Sequence, residues 1–257
     1  MGYVGSSIPS TTNEALVAGA GTFVADVTLP GCLTVALLRS PHPHARIVSV
    51  DASAAEALPG VVHVATGEDV RDYPIPPFTE LAHMGVKEAA CYALAVERVR
   101  YVGDPVAAVV AQDELTAYAA LDLVAVEYEP LPAVTDPEEA LKPGSPLVEP
   151  SWGDNVMIEQ RAEAGDVERA FAEADGVVRG SLRSSRIMAA PLEPRGVVAT
   201  WDRGQRTLTC WNATQTPHSL RYYLAQALRL PESTIRVIQP RSAAPSAARG
   251  RPSTRTS

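Results

Sequence analysis

Residues 106–111 (VAAVVA) constrain the fold more than any other segment of the 257-residue chain. Six apolar residues, three of them valine, with no polar break are expected of a strand buried on both faces. Asp113 then reads as the cap of a helix on which Leu115, Ala119 and Leu123 share one side, and residues 124–128 return as a strand. A strand, a capped helix and a second strand within about 25 residues imply a mixed α/β layer structure.

Flanking segments extend the pattern. Residues 32–39 (CLTVALLR) and 46–50 (RIVSV) read as strands around a turn at Ser40-Pro41-His42-Pro43, whose prolines forbid continuous pairing. Asp51 caps a short helix over 52–58 that Pro59-Gly60 ends, and 61–65 is the next strand. Residues 72–90, with Pro74, Pro76 and Pro77, read as an irregular excursion. Pro130, Pro132, Pro137, Pro143, Pro146 and Pro150 make a stiff extended connector, interrupted by one capped helix at 136–141. Beyond it we expect an amphipathic helix over 167–174 and strands near 176–186, 196–201 and 207–211. A helix should then run from Pro217 to about Arg229 with Leu220, Leu224 and Leu228 facing a core, followed by a buried strand at 235–238.

Composition narrows the function classes. With 46% hydrophobic and 20% charged residues the chain can bury a substantial core. A formal net charge of −8 argues against nucleic acid or an acidic membrane surface as a partner. No apolar run approaches the roughly 18 residues of a membrane span, and the N-terminus lacks the basic-then-apolar pattern of a secretion signal, so a cytoplasmic protein is expected. Cys32, Cys91 and Cys210 are odd in number and far apart, which fits neither a disulfide framework nor a zinc or iron–sulfur spacing. They are expected to be reduced core thiols.

Four segments in order, RSPHPHARI at 39–47, LPGVVHVATGEDV at 58–70, VRYVGDPVAAVVA at 99–111 and VEYEPLPAV at 126–134, resemble the N-terminal α/β hammerhead domain of molybdenum hydroxylase large subunits. This is the xanthine dehydrogenase, aldehyde oxidase and carbon monoxide dehydrogenase superfamily. GDVERAFAEADGVV at 165–178, PLEPRGVVATWD at 191–202 and TQTPHSLRYYLAQAL at 214–228 resemble the start of its molybdopterin-binding region. Each segment alone is weak, and the ordered set is specific. The resemblance implies an α+β chain: a hammerhead domain at 12–132, a Pro-rich connector at 133–150, and an incomplete molybdopterin-binding α+β domain at 151–240. It further implies a molybdenum–molybdopterin cofactor, with the cytosine dinucleotide form among its variants. Iron–sulfur clusters and FAD are expected on partner subunits, a small and a medium one, because this chain has neither cluster cysteines nor a dinucleotide fingerprint.

Gln215 lies in a short strand-to-helix turn, where a neutral amide can donate to an oxygen ligand without adding charge to an anionic cofactor. The alternative is that it only satisfies backbone groups at the helix start. The resemblance implies the former: a donor to the molybdenum oxo group that orients the site without binding the metal. Glu193 and Arg195 flank Pro194 and read either as a buried ion pair or as a solvated one; the resemblance implies that they help to wall the cofactor and substrate region. His42 and His44 could begin a metal chelate, but no third ligand stands nearby and a solvated turn is the simpler reading. His218 is expected at the helix start, near the same loop. Asp136, Glu138 and Glu139 read as a solvated helix N-terminus. No catalytic residue and no protein ligand to the metal is assigned within the chain, because the family's general base lies further downstream.

After Pro240 the patterning stops, and residues 241–257 (RSAAPSAARGRPSTRTS) form a tail rich in Ala, Ser, Pro and Arg. With TCN serine codons, 242–248 read one nucleotide earlier permits Val-Gly-Gly-Ala-Phe-Gly-Gly, close to the glycine-rich cofactor loop that the resemblance places here. A frameshift or truncation near Pro240 or Arg241 is therefore expected, against the alternative of a natural disordered tail. Two functions follow: the front part of an oxidoreductase large subunit acting on an aldehyde, N-heterocycle or carbon monoxide, inactive as this chain alone, or a non-catalytic remnant that at most binds partner subunits. A small metal-binding protein using His42 and His44 is a third.

Overall fold

A computed structural model of the chain describes residues 3–7, 13–76, 84–185, 190–191 and 193–240. The expectation about the tail at 241–257 lies outside them. Among the described residues three three-stranded sheets form. In the first, β5 (Pro105–Ala111) lies between β1 (Thr34–Arg39) and β3 (Val61–Thr66), antiparallel to both. In the second, β2 (Ala45–Asp51) lies between β4 (Arg98–Val99) and β6 (Ala125–Pro130). The third is described below.

The VAAVVA run is thus a central strand, as its apolarity demands: Val106, Ala107, Val109 and Ala111 are fully buried. Val109 and Ala107 join Ala55, Val64, Ala120 and Val124 on one side, while Val106 meets Ala45 and Val99. The strand–helix–strand reading needs two corrections. First, β5 and β6 belong to different sheets; β1 and β2 do so too, as expected of a double proline turn that forbids continuous pairing. Second, the buried face of the following helix (Glu114–Leu121) is Ala117 and Ala120, while Leu115 is 82% exposed. Small residues let the helix lie close to the sheet, and packing distance here outweighs side-chain hydrophobicity. The cap is as expected: Asp113 accepts from Thr116 N at 2.8 Å.

Local capping places several other elements. Asp51 accepts from Ser53 N at 3.0 Å at the start of the helix Ser53–Glu56, and Asp136 accepts from Glu138 N and Glu139 N at the helix Pro137–Ala140. A short helix, Gly67–Val70, was not expected from sequence; Asp69 accepts from Thr66 N at 2.7 Å to begin it. The connector is tied down on both sides. Asn155 donates to the carbonyls of Ala140 and Pro146 and accepts from Val148 N. Arg100 pairs with Glu149 at 2.6 Å, joining the first half of the chain to the connector.

Two further expectations fail. Residues 176–185 form no strand: they are exposed throughout, and no described strand lies beside them to take their backbone hydrogen bonds. The helix Val167–Ala172, capped by Asp166, buries none of its residues. Cys32 is exposed, Cys91 half-buried and Cys210 buried, so the core-thiol reading holds for Cys210 and not for Cys32. No helix among the described residues is long and apolar enough to cross a membrane.

Candidate functional site

The third sheet carries the candidate site. Here β7 (Val197–Asp202) pairs antiparallel with β8 (Thr207–Asn212), and β8 pairs parallel with β9 (Ile235–Ile238). Between β8 and β9 runs the helix Pro217–Leu228, with Pro217 in its first turn as expected. Ala225 is its buried residue, while Leu228 is 40% exposed, so the expected leucine face is only partly inward. Arg229 closes the helix in the left-handed conformation, at φ 54° and ψ 41°.

Val197 stands opposite Asn212, so the residues entering β7 and those leaving β8 meet at one end of the sheet. That end holds Glu193 and Arg195 on one side and the turn Ala213–Thr216 on the other. The turn is fixed from within. Ala213 and Thr214 are buried, Thr214 N donates to Asn212 O at 2.9 Å, and Thr214 Oγ1 accepts from Thr216 N at 3.1 Å. Gln215 between them is exposed, and its side-chain amide makes no hydrogen bond to any described residue. The helix start takes no side-chain cap from Thr216, and Gln215 does not supply one. The turn therefore presents an amide with both N–H groups unspent, next to first-turn backbone N–H groups directed outward from the helix.

Glu193 is buried and accepts from Val24 N at 3.2 Å. Arg195 is exposed. The two side chains thus differ in burial, Glu193 lying inside and Arg195 at the surface. Nothing in the sequence signalled the partner, since Val24 lies 169 residues away. His218 is exposed in the first turn of the helix, as expected. His44 departs from the solvated-turn reading: it is buried, its Nδ1 lies 2.8 Å from Pro132 O, and its own carbonyl accepts from Leu131 N. A carbonyl only accepts, so Nδ1 carries the proton. His42 stacks edge-on against Tyr128, with ring centroids 5.0 Å apart. No group of three His, Cys, Asp or Glu among the described residues could hold a metal ion. A cavity of about 210 Å³ opens beside His44, Arg100 and the connector, away from Gln215.

Two models of known domains match the chain: the α/β hammerhead domain of aldehyde oxidase and xanthine dehydrogenase over residues 18–132, and the molybdopterin cofactor-binding domain over residues 148–242. The chain belongs to the aldehyde oxidase and xanthine dehydrogenase family. Among its curated relatives, the nicotine 6-hydroxylase large subunit of Paenarthrobacter nicotinovorans is 37% identical over 237 residues, covering 92% of this chain and 29% of the relative. The carbon monoxide dehydrogenase large chain of Afipia carboxidovorans is 38% identical over 235 residues, covering 86% and 28%. The crystal structure of quinoline 2-oxidoreductase from Pseudomonas putida 86 superposes with a TM-score of 0.83 at 38% identity, over 92% of this chain and 30% of that one. The chain thus spans less than a third of the length of these family members. Its α+β architecture is that of a hammerhead domain followed by part of a molybdopterin-binding domain.

The residues at the Gln215 turn fit the family's cofactor in kind. A neutral amide donor and an uncapped helix start suit an anionic pterin with oxo ligands. Residues 241–257, where the resemblance would place a glycine-rich loop, lie outside the described residues.

Proposed function

We propose that this chain is the front part of the molybdopterin-binding large subunit of an oxidoreductase, acting on a small aldehyde, N-heterocycle or carbon monoxide. The observation that carries this reading is the turn Ala213–Thr216, which holds an unspent Gln215 amide at the sheet end shared with Glu193 and Arg195. When bound, molybdenum–molybdopterin, whose variants include the cytosine dinucleotide form, would supply the two-electron oxidation. Gln215 N–H would donate to an oxygen ligand of the metal, and the helix start at Pro217 would favour the cofactor's negative charge. Glu193 and Arg195 wall the same region.

In this reading 12–132 is the hammerhead domain, 133–150 the connector and 151–240 the beginning of the cofactor domain. Iron–sulfur clusters on a small subunit and FAD on a medium subunit would take up the electrons, in a complex placed in the cytoplasm. The test is to assemble the large subunit bearing this chain with candidate iron–sulfur and flavin subunits and follow dye reduction with an aldehyde, an N-heterocycle and carbon monoxide. Reduction with one class supports the proposal. A stable complex that holds molybdenum and reduces dye with none of them contradicts it.

A further inference from the structure

Glu193 joins two parts of the chain that are distant in sequence. Its carboxylate accepts the backbone N–H of Val24, the first residue of the one-turn helix Val24–Asp26 near the start of the chain. That N–H belongs to a helix start and has no partner within its own turn. Val24 is 4% exposed, and its Cγ1 lies 3.2 Å from where a Cβ on Gly196 would be, so any side chain at 196 would press on it. The turn is itself braced: Asp26 Oδ2 accepts from Phe23 N at 2.8 Å, and Val27 N donates to Val24 O at 3.1 Å. A rigid turn from the N-terminal part of the chain therefore grips residues 193–196 by one hydrogen bond and one close apolar contact.

Residues 193–196 lead directly into β7, whose first residue pairs with Asn212, and Asn212 O receives Thr214 N. The grip is thus transmitted through one strand pair to the turn that carries Gln215. We infer that Glu193 is a positioning residue: by holding the Val24 N–H it fixes the entry of β7 and, through the Val197–Asn212 pair, the Gln215 turn. This rests on the reading of Gln215 given above, but its geometry is a property of the chain without cofactor. The bond to Val24 N–H needs an acceptor oxygen at position 193, which a glutamine side chain also supplies.

The experiment is amide hydrogen exchange on the cofactor-free full chain, read at Val24, Thr214 and Thr216, for the wild type, Glu193→Gln and Glu193→Ala. Removing the acceptor should speed exchange at all three amides about tenfold, the factor that corresponds to ~1.4 kcal/mol. Glu193→Gln, which keeps a carbonyl oxygen, should stay within about twofold of wild type, a difference of ~0.4 kcal/mol. If Glu193→Ala proves insoluble, Val24→Pro removes the donor at a position where a helix tolerates proline, and should speed exchange at Thr214 and Thr216 alike. The inference is overturned if Glu193→Gln behaves as Glu193→Ala, or if exchange changes at Val24 while Thr214 and Thr216 stay as in the wild type. Neither outcome depends on whether Gln215 meets molybdenum.

Discussion

Replacing Arg229 separates two opposing effects that meet in one residue. Arg229 ends the helix Pro217–Leu228 at a position where glycine is favoured: its N–H reaches the carbonyls of Ala225 and Gln226, and Leu230 N donates to Ala225 O at 3.0 Å. Holding a side chain in this left-handed conformation costs about 1 kcal/mol relative to glycine. The offsetting gain lies across the molecule, where Arg229 Nη2 donates to Asp72 O at 2.6 Å and the guanidinium sits 5.6 Å from the centre of the Tyr73 ring. Because the site is exposed, the hydrogen bond contributes about 1 kcal/mol and the cation–π contact about 0.5 kcal/mol. Arg229→Ala loses both contacts and keeps the strain, so it should destabilise the chain by about 1.5 kcal/mol. Arg229→Gly loses the contacts and relieves the strain, for a net loss of about 0.5 kcal/mol. Urea unfolding of the full chain, followed by tryptophan fluorescence, gives both values. Equal losses for the two variants would refute the strain argument, and a neutral Arg229→Ala would refute the contact with Asp72 and Tyr73.

Other expectations follow from the same structure. Gly67→Ala should cost about 3 kcal/mol by thermal unfolding, since the new Cβ would lie 2.3 Å from Ala95 O, a backbone atom that cannot swing aside. Burial, partly offset by the hydrogen bond from Arg100 N, pushes the Asp104 carboxyl above the usual range. Its contribution to stability is therefore full below the unfolded value and declines as pH rises through the folded one, so Asp104→Asn should raise the urea midpoint at pH 7 relative to pH 3.5 when compared with wild type. Glu149 has the opposite sign. Burial raises its pKa, but hydrogen bonds from Arg100 and Ser151 and the Arg100 charge bring it below the ordinary value, so its contribution is lost as pH falls, and Glu149→Gln should lessen acid sensitivity. Trypsin should cut first at Arg161, Arg169, Arg179 or Arg183, in the exposed stretch 159–185, leaving the sheets around β5 intact.

What could be read from sequence was what local chemistry decides. The apolar run at β5, the caps at Asp113, Asp136 and Asp166, and Pro217 at a helix start are each set by a few neighbouring residues. Pairing was harder, because β5 and β6 flank one helix in sequence yet join different sheets, which no local pattern decides. The segment 176–186 has strand-like residues, but strand formation needs a partner that no local pattern reports. Leu115 misled for a related reason: which helix face is buried depends on how near the sheet can approach, and alanines decide that. At the candidate site, the position of Gln215 in a turn was legible, whereas its unspent amide and the grip of Val24 on Glu193 arise from contacts distant in sequence.

On the proposed function the Gln215 amide would face the molybdenum centre, and electron paramagnetic resonance of Mo(V) in the large subunit bearing Gln215→Ala tests that contact. Molybdenum content should stay close to wild type with altered g-values, because an oxygen ligand would lose its donor while the metal keeps its own ligands. Signals identical to wild type at equal molybdenum content would contradict it.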